Sequence, residues 1–142
     1  MDYKLDISDR MPEPLRVGLQ TCVPNTLERI AYFGKGPQEN YSDRCDGAFL
    51  GLYRSTPEKF MHSYITPQEN GNRCDVRWLS LTASDGRGVQ FVGAEPLSVS
   101  VWNCTQESLD KARHSNEVEP LADALTVNID RTQTLSLIHI SE

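Results

Sequence analysis

Residues 15–23 alternate without a break. Leu15, Val17, Leu19, Thr21 and Val23 point one way, and Arg16, Gly18, Gln20 and Cys22 point the other. Period two places successive side chains on opposite faces of an extended chain, so this segment reads as a half-buried strand. Tyr3, Leu5 and Ile7 alternate likewise, as do Leu97, Val99 and Val101, and Leu125, Val127 and Ile129; between them 26–33, the glycine-broken 48–54, 61–65, 73–82 and 89–92 also read as strands. Turn residues separate them, and Ser84-Asp85-Gly86-Arg87-Gly88 reads as a hairpin turn. Helical signals are few. Thr56-Pro57-Glu58-Lys59 suits one turn with Thr56 as cap and Pro57 first, and 105–113 suits a short helix with Thr105 as cap, Glu107 early and Lys111 late. Many short strands with no βαβ rhythm predict a mostly β, antiparallel sandwich.

The chain has 142 residues, enough for one core. Its net charge of −6 argues against a nucleic-acid partner, which needs a basic face. No apolar run approaches the ~20 residues that span a bilayer. The start, Met1-Asp2-Tyr3-Lys4-Leu5-Asp6, carries no basic-then-apolar signal. That favours the cytoplasm if Met1 is the true start, with a periplasmic or secreted location open otherwise. Cys22, Cys45, Cys74 and Cys104 form no C-x-x-C pair and meet no paired histidines, so no zinc spacing exists and no metal is assigned. Reduced thiols packed as small hydrophobes suit them, with disulfides left open.

The segment Gly34-Lys35-Gly36-Pro37-Gln38-Glu39-Asn40-Tyr41-Ser42-Asp43-Arg44 combines residues that bend a backbone with an acid, amides, a phenol and a base. Its polar groups can bond a hydroxyl-rich ligand or hold the loop's own shape. A shortened echo, Pro67-Gln68-Glu69-Asn70-Gly71-Asn72-Arg73, follows, but its flanks differ and no repeat extends from it.

Together with Arg16-Val17-Gly18-Leu19, Glu28-Arg29-Ile30, Val101-Trp102-Asn103 and Val127-Asn128-Ile129-Asp130, these motifs occur in one order. In that order the chain resembles the C-terminal, small-chain domain of the bacterial β-galactosidases of glycoside hydrolase family 2. The resemblance implies an antiparallel super-sandwich related to the galactose-mutarotase sheets, here incomplete, over residues 1–133. It implies a parent that hydrolyses terminal β-D-galactosides such as lactose and is oligomeric. The partners it implies are the parent's remaining domains or large subunit, and a galactoside. The catalytic carboxylates, and the magnesium and sodium of the parent, would lie in a separate barrel domain, so the isolated chain is expected to be inactive and to hold no cofactor. Gly36, Pro37, Gln38, Glu39, Asn40, Tyr41, Asp43 and Arg44 are expected to form a mobile loop beside the substrate, hinged at Gly36. Residues 134–142 contain neither Gly nor Trp, depart from the family pattern and suggest a non-native tail.

Retaining hydrolysis needs two carboxylates about 5 Å apart. Glu39 with Asp43, and Glu69 with Asp75, lie near one another in sequence, but nothing fixes either pair in a pocket. Trp78 and Trp102 carry faces that could stack on sugars, and each lies on an expected strand, where packing competes. Arg73 is expected to pair with an acid, while His62 and His114 lack a partner for ligation or base catalysis. Two other roles remain: a non-catalytic galactoside-binding sandwich, and a structural small-subunit piece.

Overall fold

The computed structural model describes residue 10 and residues 16–133. Six strands, β1 (Arg16–Pro24), β2 (Arg29–Gly36), β3 (Phe49–Ser55), β4 (Arg73–Thr82), β5 (Gly88–Trp102) and β6 (Ala124–Gln133), form one sheet in the order β1-β6-β5-β4-β2-β3. Every pairing is antiparallel. The class is therefore mostly β and antiparallel, as the alternation predicts. Helix α1 (Pro57–Phe60) has Pro at its first turn, and α2 (Gln106–Lys111) is capped by Thr105, whose hydroxyl accepts from Ser108 N. No helix among the described residues is long and apolar enough to cross a membrane.

One face of the sheet carries the core. Ile30 and Tyr32 of β2 meet Val76, Leu79 and Leu81 of β4, and Val99, Val101 and Val127 continue the cluster with Phe60 of α1. Each such aliphatic side chain contributes ~1.5–3 kcal/mol when fully buried. The sheet bends where Trp78 faces Val92 but Val76 faces Leu97. There β5 advances five residues, 92 to 97, while β4 advances two, 78 to 76. Pro96 sits in the resulting bulge, the one place in a central strand where a missing N–H is harmless.

The opposite face is open on one side. Leu52 faces Phe33, Phe33 faces Trp78, and Trp78 faces Val92, so four apolar side chains cross three strand pairs in one row. Leu52 is 59% exposed and Val92 69%.

Several sequence-based expectations change. Residues 61–65 form no strand. Met61 N donates to Pro57 O as the α1 cap, and His62 N donates to Asn70 Oδ1, so their ladder donors are already used. The segments 89–92 and 97–102 belong to one bent strand rather than two. In β1 the predicted inward set is incomplete: Val23 is buried, while Leu19 is exposed. The register shifts between Val17 and Gly18, and among the described residues β1 pairs with β6 alone, at one end of the sheet. Thr56 makes no side-chain cap bond. The expected strand at Tyr3, Leu5 and Ile7 and the tail at 134–142 lie outside the described residues.

Candidate functional site

The two echoed loops share one hydrogen-bond pattern and dock on each other. Asn40 Nδ2 donates to Gln38 O at 2.9 Å, and Asn70 Nδ2 donates to Gln68 O at 2.9 Å. In each loop the amide thus closes on the carbonyl two residues earlier. Each Oδ1 then accepts a distant backbone N–H, Cys74 N for Asn40 at 2.9 Å and His62 N for Asn70 at 3.0 Å. Both asparagines are buried. The loops are joined directly: Asn40 N donates to Asn72 O, and Asn72 Nδ2 returns the bond to Asn40 O.

Glu39 is the hub. Its Oε2 accepts from Gly71 N at 2.9 Å, while Oε1 accepts from the Tyr64 hydroxyl and from Arg44 Nη2 at 3.0 Å. Gly71 has φ of 72° and a Cβ there would stand 2.6 Å from Phe60 O, so only glycine presents this N–H. Burial first, and the bond to Glu39 second, hold the Tyr64 phenol above its ordinary value. Burial, and then the charge of Glu39, push Tyr41 further up the same way. Tyr64 remains a neutral donor through neutral pH.

A second polar cluster gathers on Arg16. Arg16 Nε stands 2.9 Å from Asp130 Oδ2, Arg16 Nη1 meets Glu69 Oε1, and the guanidinium lies 5.8 Å from the Trp102 ring centre. Burial raises both carboxyls above their ordinary values, against the opposing pull of Arg16. Asp130 is 1% exposed, so no substrate reaches it.

Of the expected rim, Pro37, Gln38, Asp43 and Arg44 are exposed and Glu39 is half-buried. Asn40 and Tyr41 are buried, and their side chains face the protein, contrary to a role in touching substrate. Gly36 lies at the end of β2, where an added Cβ would meet the Tyr32 hydroxyl. Trp102 is fully buried with Nε1 donating to Asn70 O at 2.8 Å, so neither of its ring faces is open to a sugar. Trp78 is half-buried in the open apolar row. Arg73 is buried without the acidic partner expected of it: none of the described carboxylates lies within ion-pair distance. Glu39 with Asp43 and Glu69 with Asp75 form no facing pair; Asp75 instead pairs with Lys35 at 3.2 Å. His114 bonds Glu117 in a short turn, and the His62 ring stands edge-on to Tyr64, 4.5 Å between centres. Among the described residues, no group of three or more His, Cys, Asp or Glu could hold a metal. The equivalence of Asn40 and Asn70 was missed in the sequence, although the repeated Pro-Gln-Glu-Asn carried the signal.

A family model described as "Beta galactosidase small chain" matches residues 1–134. The beta-galactosidase of Vibrio cholerae serotype O1 is 39% identical over 123 residues, covering 87% of this chain and 11% of that protein. The beta-galactosidase of Priestia megaterium is 30% identical over 133 residues, 94% of this chain and 13% of that protein. Beta-galactosidase 2 of Enterobacter cloacae is 39% identical over 114 residues, 80% of this chain and 10% of that protein. The chain thus spans roughly a tenth of the length of these relatives. Its motifs, its antiparallel sheet and these matches agree that the chain belongs to the beta-galactosidase small-chain family.

Proposed function

We propose that this chain is one wall of a larger β-galactosidase that hydrolyses terminal β-D-galactosides, with the reacting carboxylates supplied by a part of the parent outside it. The observation that carries this reading is the coverage: the chain matches relatives named beta-galactosidase over most of its own length but only a tenth of theirs. The acids support it. Glu39 is committed to Gly71, Tyr64 and Arg44, Glu69 to Arg16, and Asp130 is sealed. A glycosidase pair needs one acid to donate a proton to the leaving oxygen and the other to attack from the opposite side. None of these three is placed for either task.

Within that wall, the loop from Gly36 to Arg44 acts as a fixed rim. Its exposed members, Gln38, Asp43 and Arg44, are the groups that can face a galactoside held by the neighbouring domain. The bonds of Asn40 and Glu39 support a rigid rather than a swinging loop. A structural small-subunit role is part of the same reading, favoured by the row Leu52, Phe33, Trp78 and Val92, which lies ready for another layer of the parent.

The test is add-back. The chain alone should not release nitrophenol from a chromogenic β-galactoside. Mixed or co-expressed with the remainder of a small-chain β-galactosidase lacking this segment, it should restore turnover. Turnover by the chain alone that is lost in Glu39→Gln would overturn the division of labour.

A further inference from the structure

Arg73 is 3% exposed and carries a charge with no counter-ion among the described residues. Its donors are spent on neutral oxygens. Nε reaches the Tyr32 hydroxyl at 3.2 Å and Pro37 O at 3.1 Å, and Nη1 reaches Gly71 O at 3.0 Å and Asn72 O at 3.2 Å. Burial, the dominant effect on Tyr32, holds that phenol above its ordinary value, so it supplies no negative charge. The Phe60 ring, 4.4 Å from the guanidinium carbon, offers only its π face. A buried cation without an anion is among the least favourable arrangements in a protein. The remaining amino group, Nη2, makes no hydrogen bond to a described residue.

Arg73 lines a cleft of about 420 Å³ between α1 and the 37–44 loop. Glu39, Arg44, Lys59, His62 and Tyr64 also line it. Lys59 has no carboxylate partner among the described residues and stands exposed in the wall, while the Arg44 charge is matched by Glu39. The cleft is therefore net positive, and Nη2 of its buried arginine makes no hydrogen bond to a described residue.

We propose that this cleft is an anion site, and that the anion is a carboxylate docking on Nη2 of Arg73 with Lys59 as its second cation. A monoanion fits better than phosphate. A single guanidinium amino group offers two N–H bonds, and the Glu39 carboxylate in the same wall repels a dianion. The carboxylate has two possible sources, a free small acid or an acidic side chain from elsewhere in the parent enzyme. The second rests on the functional reading above; the first does not.

The Arg73 Nε–H resonance, assigned through Arg73→Lys, reports the site. Sodium acetate is titrated against sodium chloride at constant ionic strength, with acetamide as the uncharged isostere and phosphate as the dianion. Acetate should give a saturable shift in the folded chain, acetamide none, and phosphate at least threefold weaker binding. Lys59→Gln, an exposed change that leaves the fold intact, should weaken acetate about threefold. Repeating the titration on the intact β-galactosidase separates the sources. A response in both proteins means a free acid is the ligand; a response in the chain alone means a side chain of the parent already fills the cleft. No response beyond chloride in either protein, or equal affinity in Lys59→Gln, overturns the site. The functional reading is judged separately by add-back turnover, which needs no acetate.

Discussion

The hydroxyl of Tyr32 lies 2.2 Å from the position a Cβ would take on Gly36. The missing side chain leaves room for the phenol that Arg73 Nε reaches at 3.2 Å, so this glycine answers a demand for close approach. In Gly36→Ala the new methyl meets that hydroxyl and, at 3.0 Å, the Tyr53 ring. Overpacking of this kind costs ~1–3 kcal/mol. The urea midpoint should fall with an unchanged slope. Tyr32→Phe removes the obstructing atom, so the double variant should lose less than the sum of the two single changes. Strict additivity would show that the contact is not the cause.

Asn40 stands in a different position from its neighbour Gln38. It donates to Lys35 O and Gln38 O and accepts from Cys74 N, all while buried. Asn40→Ala leaves the Cys74 N–H unpaired away from water, a loss of ~1–3 kcal/mol for that donor alone. Asn70→Ala should behave similarly, because His62 N loses its acceptor in the same way. Gln38→Ala, at an exposed bond to Gly47 O, should stay within about 0.5 kcal/mol. Thermal or urea melts of the three variants would decide it. Equal effects for Asn40 and Gln38 would mean the loop is not held from within.

The strands were legible because their burial alternates. Ile30, Tyr32, Leu79 and Leu81 lie buried in one core cluster, on strands whose existence the sequence predicts. The class and the α2 cap followed from local signals of the same kind. The error at 61–65 arose because Met61 and Ile65 are apolar, yet Met61 N is spent on the α1 cap and Ile65 is 93% exposed, which no periodicity reveals. The loop's polar residues looked like ligand contacts since an Asn that binds a sugar and an Asn that staples a turn have the same side chain. Distance along the chain hid the distinction: Asn40 meets Cys74, and Glu39 meets Gly71, across more than thirty residues. The resemblance carried the family, which periodicity could not.

Asp130 and Glu69 should make stability depend on pH in an uncommon direction. Burial raises both carboxyls above their ordinary 3.8 and 4.5, more than Arg16 lowers them. The folded chain therefore holds these protons more tightly than the unfolded chain does. Their contribution is fully present below the ordinary carboxyl range and is lost as pH rises through the raised folded values. Asp130→Asn removes one such group. The stability of the parent chain relative to this variant should rise as pH falls from 7 toward about 4. Urea midpoints at several pH values measure it. A difference that shrinks on acidification would mean that Arg16, not burial, governs Asp130.

The apolar row has the clearest consequence for assembly. Leu52 lies on edge strand β3, Val92 on β5, and both are mostly exposed beside Phe33 and Trp78. Leu52→Lys puts a charge into that row without opening the core, so the chain's own stability should change by no more than about 0.5 kcal/mol. If another layer of the parent covers the row, the same lysine must be desolvated on docking, a far larger penalty. Restored β-galactosidase turnover in the add-back assay should then require at least about tenfold more chain, since tenfold corresponds to only ~1.4 kcal/mol. Asp123→Lys, also exposed but just before β6 and outside the row, should restore turnover as the unmodified chain does. Equal performance by the two variants would mean that this face stays in water in the assembled enzyme.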